Sequence, residues 1–175
     1  MSAFGRARTL STEEELHTAA LRALMRRAYS IHDMREYLAR RAAISEHVGG
    51  VIARLREQRY LDDERYALEF TRQHAQSRRQ GRFRIMRELR ARGVPDKHIE
   101  PAMDAIFAET DETTLIRARV DRLLARARGP LDEKARASMF RSLLRAGFSP
   151  DAIGAELRLR KGAAAKLSAD DHEED

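Results

Sequence analysis

A faint internal repeat runs along this chain of 175 residues. Three copies of one apolar pattern align without a gap at offsets of 51 and 54 residues. The matching triplets are Leu38, Val48 and Ile52; Leu89, Ile99 and Met103; and Leu143, Ile153 and Leu157. A period of this length is typical of modular arrays, in which each unit buries an apolar face against its own helices and its neighbours. The repeat therefore predicts a long interaction surface rather than one enclosed active site.

The spacing of apolar residues and helix-start signals is helical throughout. Ser11 and Thr12 precede Glu14 and Glu15 in a capping-box pattern that predicts a helix start. Ser149 followed by Pro150 predicts another start, with the serine as N-cap. An apolar stripe predicts a further amphipathic helix, and it comprises Ile116, Val120, Leu123, Leu124 and Ala127. No window shows sustained period-two alternation rich in β-branched residues, so we expect an all-α protein.

The repeat divides the chain into modules and two termini. We predict an elongated, curved, tandem array of three three-helix repeats. The predicted segments are a disordered N-terminus (1–10), the first, second and third repeats (11–60, 61–108 and 109–161), and a mobile acidic tail (162–175).

Composition excludes several classes of function. The chain has no Cys, which excludes disulfides, thiol nucleophiles and cysteine-based zinc sites. It has no apolar run long enough to span a membrane, so we expect a cytoplasmic protein without a membrane partner. Phosphate-binding, dinucleotide and hydrolase motifs are absent, and no two His lie three or four residues apart. We therefore expect no enzymatic activity, no cofactor, no metal and no small-molecule substrate.

Asp62 and Asp63 form the one internal acidic pair that resembles a site. Paired carboxylates bind metals or share a proton, but adjacent acids before a helical segment more often cap it and favour its dipole. A hydrolase using this pair lacks a general base or metal partner in the sequence. The capping interpretation is therefore preferred.

Basic residues are concentrated in the middle of the chain. Between Thr71 and Arg92 there are eight Arg and one acid, Glu88. A helix over 63–79 places three Arg seven residues apart on one stripe, and the next helix carries a ladder at i, i+3 and i+6. The stripe is Arg65, Arg72 and Arg79, and the ladder is Arg84, Arg87 and Arg90. Guanidinium groups contact phosphates or carboxylates, so we predict that these six residues bind a partner rather than form a solvated face.

Two kinds of partner remain open from these residues. Base stacking is improbable because the chain has no Trp, and the segment from Pro95 to Glu109 is too acidic for a helix that enters the major groove. Binding to phosphate backbones by the chain alone stays an alternative, and it predicts a steep dependence of affinity on salt.

Two motifs carry a resemblance to a known family. They are Tyr60-Leu61-Asp62-Asp63-Glu64-Arg65-Tyr66-Ala67 and Gly81-x-x-Arg84-Ile85-x-x-Glu88-Leu89-x-x-x-Gly93-Val94. At this spacing the chain resembles the bacterial RecX family of regulatory proteins. The resemblance is strongest in the middle unit and extends over about residues 15 to 160. Its structural motif residues here are Leu61, Asp62, Asp63, Tyr66, Ile85, Leu89 and Gly93.

Membership of that family implies a function. It implies tandem three-helix repeats, no catalysis, and binding to the RecA nucleoprotein filament to restrain ATPase, strand exchange and coprotease activities in DNA repair and the SOS response. We expect the chain to lie in the filament groove, with a weak contact to DNA phosphates. One departure concerns the turn before the second helix of the middle unit, where the family often has Gly and Pro and this chain has Arg79 and Arg82.

Overall fold

The computed structural model describes residues 9–109, 111–126 and 132–170, with side chains up to Arg160. The described residues form nine α-helices and one π-helical turn. The α-helices are α1 (Glu13–Leu24), α2 (Ile31–Ala39), α3 (Glu46–Glu57), α4 (Asp63–Arg72), α5 (Arg82–Ala91), α6 (Asp96–Glu109), α7 (Glu112–Leu124), α8 (Glu133–Arg145) and α9 (Pro150–Asp170). The π-helical turn, Gln73–Ser77, follows α4 directly. The predicted all-α fold is confirmed.

Helix starts follow the capping chemistry that the sequence predicts. The Thr12 hydroxyl accepts a hydrogen bond from the amide of Glu15 at 3.2 Å, and the Glu15 carboxylate accepts from the amide of Thr12, which completes the capping box of α1. The Ser149 hydroxyl accepts from the amide of Ala152 at 3.2 Å at the start of α9. Both predicted starts are confirmed.

The repeat positions are core positions. All nine residues of the three aligned triplets are buried, and none is more than 6% exposed. The glycines four residues after Leu89 and Leu143 share one conformation, because Gly93 has φ +67° and Gly147 has φ +91°. These are left-handed conformations that favour glycine and end α5 and α8. The repeat in the sequence thus reflects equivalent packing and equivalent turns.

The chain divides into two compact units. The first comprises Met1–Phe70 with Leu89–Ala102, and the second comprises Thr71–Glu88 with Met103–Asp175. The core of α1, α2 and α3 lies in the first unit and includes Leu16, Ala20, Met34, Leu38, Ile52 and Leu55. The core of α7, α8 and α9 lies in the second and includes Ile116, Val120, Met139, Leu143, Phe148 and Ile153. The predicted boundaries of the three repeats stay a prediction.

Both predicted terminal segments contain residues with helical or hydrogen-bonded backbone, and their disorder or mobility stays a prediction. Leu10 lies in the segment predicted as disordered, yet its amide donates to the carbonyl of Arg41 at 2.7 Å and its carbonyl accepts from the amide of Ala43 at 2.8 Å. Helix α9 runs to Asp170, within the segment predicted as a mobile tail. Residues 1–8 and 171–175 lie outside the described residues. Within the described ranges, we find no helix with the length and apolar character of a membrane span.

Candidate functional site

The helix that carries the predicted Arg stripe changes its hydrogen-bond pattern. Helix α4 ends at Arg72, and the π-helical turn follows, in which the amide of Arg78 donates to the carbonyl of Gln73 five residues earlier at 3.3 Å. Arg79 lies beyond this turn with φ +50°. The prediction that one helix over 63–79 aligns Arg65, Arg72 and Arg79 is therefore wrong at Arg79. The wider π-helical turn breaks the seven-residue periodicity on which the stripe depended.

A buried polar network holds the π-helical turn against α5 within the second unit. The Nδ1 atom of His74 lies 2.6 Å from Oε1 of Gln80 and 3.4 Å from Oε2 of Glu88. Nε of Arg84 donates to Oε1 of Glu88 at 2.7 Å. Since His74 and Gln80 are buried, this network fixes the turn more firmly than exposed polar contacts would. It also orients the Arg84 side chain.

Much of the Arg run is neutralised by carboxylates. The guanidinium groups of Arg82, Arg84, Arg90 and Arg92 pair with Asp104, Glu88, Asp96 and Asp33 respectively, at 2.7 to 2.9 Å. The hydrogen bond and charge of Asp96 raise the pKa of Arg90. The excess of positive charge that the sequence shows in this run is therefore compensated by the fold at these four positions. Three of the acids lie outside the sequence window of the run and approach through the fold.

Arg87 is the exception on α5. Its side chain is exposed, and it forms no ion pair with any residue within the described ranges. Of the other predicted partner-binding residues, Arg65 is exposed and donates to the carbonyl of Arg59 at 2.9 Å, and Arg72 and Arg79 are half-buried. Arg65 and Arg90 belong to the first unit, whereas the remaining four belong to the second. Whether these six residues bind a partner stays a prediction.

The Leu-Asp-Asp motif has a structural role in the first unit. Leu61 is buried, and Oδ1 of Asp62 caps α4 by accepting from the amides of Glu64 and Arg65 at 2.9 and 3.1 Å. Asp63 has a role that the sequence did not indicate. Its buried Oδ1 accepts from the amide of Ile31 at 2.9 Å and so caps α2, 32 residues earlier in the chain. Burial raises the pKa of Asp63. The capping interpretation is confirmed for Asp62, whereas Asp63 caps α2 rather than the helix that follows the pair.

The remaining motif residues lie in the core or at a close contact between two chain segments. Tyr66 is buried with its ring 5.9 Å from that of Phe70, and burial raises the pKa of its phenol. Ile85 and Leu89 are fully buried on α5. Gly93 leaves no room for a side chain, because a Cβ there would collide with His32.

An open groove in the first unit combines both signs of charge. It has a volume of about 830 Å³ and is lined by Arg56, Arg59, Lys97, His98, Glu57, Asp62 and Asp63 together with apolar side chains. In the part of the chain that the structure describes, no group of three or more His, Asp or Glu is placed to hold a metal ion. Two of the three acids of this groove, Asp62 and Asp63, serve as helix caps.

Comparison with known proteins identifies relatives over most of the chain. Residues 62–103 match the domain described as RecX, second three-helix domain. The chain is 34% identical over 145 residues to Regulatory protein RecX of Halorhodospira halophila, covering 83% of this chain and 88% of that protein. It is 32% identical over 139 residues to Regulatory protein RecX of Treponema pallidum strain Nichols, covering 79% of this chain and 81% of that protein.

Solved structures share the fold. The crystal structure of RecX from Lactobacillus salivarius superposes with a TM-score of 0.70 at 19% sequence identity, covering 83% of this chain and 94% of that one. At this identity the likeness establishes the fold alone. It agrees with the all-helical arrangement described above.

Proposed function

This chain belongs to the RecX family of regulatory proteins, and from that premise we propose that it binds the RecA recombinase filament in the cytoplasm. By occupying the filament groove it restrains the ATPase, strand exchange and coprotease activities of RecA. It acts by binding and carries out no chemistry of its own. The family resemblance of the Leu-Asp-Asp and Gly81 motifs and the relatedness over most of the chain support this proposal.

The choice of contact surface rests on the exposure of Arg87. An exposed guanidinium without an ion pair among the described residues is ready to meet a carboxylate or phosphate of a partner. Arg84 and Arg90 flank it on α5 and keep part of their donor capacity while paired with Glu88 and Asp96. The partner surface that fits is acidic, and electrostatic complementarity of this kind speeds association and sets orientation.

The test uses a charge reversal that disturbs no ion pair. Arg87→Glu is expected to raise the concentration needed for half-inhibition of RecA ATPase on single-stranded DNA by about tenfold, because an acid would face an acidic surface. Arg141→Glu is the matched control, since Arg141 is also exposed, on α8, and forms no ion pair with a described residue. The triple change of Arg84, Arg87 and Arg90 to Glu should weaken inhibition further. Equal inhibition by both single variants would remove this surface from the mechanism.

The partner itself is tested by capture. The full chain should be retained by RecA assembled on single-stranded DNA with ATP, and much less by the same DNA without RecA. Strong retention by bare DNA, lost steeply as salt rises, would instead favour the alternative of a protein that binds nucleic acid alone through phosphate contacts.

A further inference from the structure

Helix α7, in the second unit, carries a row of Arg that the repeat pattern did not reveal. Arg119 and Arg122 lie one turn apart on α7, and Arg126 follows four residues later, in the turn after the helix ends at Leu124. The adjacent face of α7 packs into the core through Ile116 and Val120, which are fully buried. The row therefore lies along the edge of a well-anchored helix.

Arg119 is held in an unusual environment for a cation. Its side chain is half-buried, and its Nε is covered without a hydrogen-bond partner. No carboxylate within the described ranges pairs with it or with Arg122. Burial lowers the pKa of the Arg119 guanidinium, and the neighbouring charges of Arg122 and Arg84 lower it further. A partly desolvated cation thus lies beside two like charges.

Backbone hydrogen bonds hold the start of α5, which carries Arg84, within the second unit. The amide of Gly81 donates to the carbonyl of Ala146 at 2.8 Å, and the amide of Phe83 donates to the carbonyl of Gly147 at 3.0 Å. These bonds tie the start of α5 to the turn between α8 and α9, all within the second unit. Since Glu88 also orients the Arg84 side chain, the Arg84 guanidinium is set before any ligand arrives.

A bound anion would relieve the electrostatic penalty that this arrangement carries. Partial burial weakens the solvation of a charge, so an uncompensated guanidinium gains more from a counter-ion than an exposed one does. Three guanidinium groups offer many N–H donors to one tetrahedral oxyanion. We propose that Arg84, Arg119 and Arg122 form an oxyanion site that binds a phosphate of a nucleic-acid backbone.

The continuation of the row favours a phosphate polymer over an acidic protein surface. Arg126 continues the row in the turn that follows α7, and positive charges in succession suit a strand that carries a charge at every nucleotide. The one acid between them, Asp121, is engaged by Arg160 at 2.6 Å. The proposal does not depend on RecA, so it and the proposed function can fail separately.

The test measures binding of a fluorescent 20-nucleotide oligothymidine to the full chain across a salt series, without RecA. Arg119→Gln and Arg122→Gln are each expected to weaken binding about five- to tenfold and to lower the slope of log K against log salt by roughly 0.7 to 1, the loss of one phosphate contact. Arg141→Gln removes the same charge from α8 and should change neither the affinity nor the salt slope. Variants indistinguishable from Arg141→Gln would overturn the proposal.

Two further arms identify the ligand. Competition by pyrophosphate that requires Arg119, together with unchanged oligonucleotide binding in Arg119→Gln, would overturn the assignment to a nucleic-acid backbone in favour of free phosphates. A poly-glutamate peptide of equal charge that binds as tightly as the oligonucleotide would overturn it in favour of carboxylates. Weak competition by pyrophosphate and weak binding of poly-glutamate support the assignment to a nucleic-acid backbone.

Thermal unfolding distinguishes a binding role from a structural one. Because Arg119→Gln removes a partly desolvated cation from two like charges, its unfolding temperature should stay the same or rise while affinity falls. A fall in both the unfolding temperature and the affinity would indicate that Arg119 maintains the fold, and would overturn its role as a ligand-binding residue. Circular dichroism of each variant checks that helical content is retained.

Discussion

Arg92 donates a hydrogen bond from Nη1 to Oδ2 of Asp33 at 2.9 Å and so joins two residues 59 positions apart. The carbonyl of Arg92 also accepts from the hydroxyl of Ser30 at 2.7 Å, and its guanidinium lies 5.3 Å from the ring centroid of Phe70. Ser30 is the N-cap of α2, and Asp33 lies in its first turn. One arginine after α5 therefore secures the start of α2 within the first unit.

We expect a measurable coupling between Arg92 and Asp33. Arg92→Met and Asp33→Ala should each lower the free energy of unfolding by about 1–3 kcal/mol, because each leaves a partly buried polar partner unsatisfied. The double-mutant cycle should give a coupling of about 0.5–1.5 kcal/mol in urea titrations followed by circular dichroism. The pair Arg40–Glu36, 64% and 56% exposed, is the control and should couple by less than about 0.5 kcal/mol. Additive effects at Arg92 and Asp33 would contradict the prediction.

Two glycines should respond in opposite directions to alanine. Gly93→Ala is expected to lower the free energy of unfolding by about 2 kcal/mol or more, because φ is +67° and a Cβ would collide with His32. Gly49→Ala should raise it by about 0.5–1 kcal/mol, since Gly49 lies inside α3 with no atom near the new Cβ. Urea midpoints of both variants test this. A loss at Gly49 equal to that at Gly93 would show that the left-handed turn is not the cause.

Sequence patterns predicted what depends on local chemistry and periodicity. The capping box of Thr12, the cap at Ser149 and the burial of all nine repeat positions follow from side-chain type and spacing. The long-range ion-pair partners could not be predicted from side-chain type and spacing. Asp33, Asp96 and Asp104 neutralise Arg residues of the basic run because the fold brings them there, and no spacing in one sequence indicates such pairs.

The π-helical turn was missed for a similar reason. Its residues, Gln73–Ser77, have ordinary helical propensity, and the departure from α-helical bonding comes with a buried contact between His74 and Gln80. The Arg119 cluster left a partial signal, since the i, i+3 spacing of Arg119 and Arg122 on α7 is visible in the sequence. Its proximity to Arg84 on α5 is not.

Arg79 occupies a left-handed conformation that a glycine would adopt more easily. Arg79→Gly should leave stability unchanged or raise it by up to about 1 kcal/mol, because relief of a φ of +50° offsets the extra entropy that glycine has in the unfolded chain. Its neighbour Arg78, with φ −93°, is the matched control. Arg78→Gly should cost about 0.5–1 kcal/mol. Equal losses at both positions, measured by urea unfolding, would argue against strain at Arg79.

The buried Asp63 should make stability depend on pH with a defined sign. Burial is the main cause of its raised pKa, although the amide of Ile31 and the charge of His98 act in the opposite direction. A carboxyl whose pKa rises on folding holds its proton more tightly in the folded state. The folded state is therefore favoured below the ordinary Asp pKa of about 3.9 and loses stability as pH rises from there to the folded-state pKa.

Replacing this carboxyl with an amide isolates the effect. Asp63→Asn keeps an acceptor at Oδ1 for the amide of Ile31 but has no proton to release. The free energy of unfolding of the variant, relative to the parent chain, should rise between about pH 4 and the folded-state pKa and then level off. Urea unfolding at intervals from pH 3 to 7 measures this difference, with the exposed cap variant Asp62→Asn as control. A difference that stays flat or falls with pH at Asp63 would show that its carboxylate is stabilised where it lies, and that the cap on α2 is strongest in the charged form.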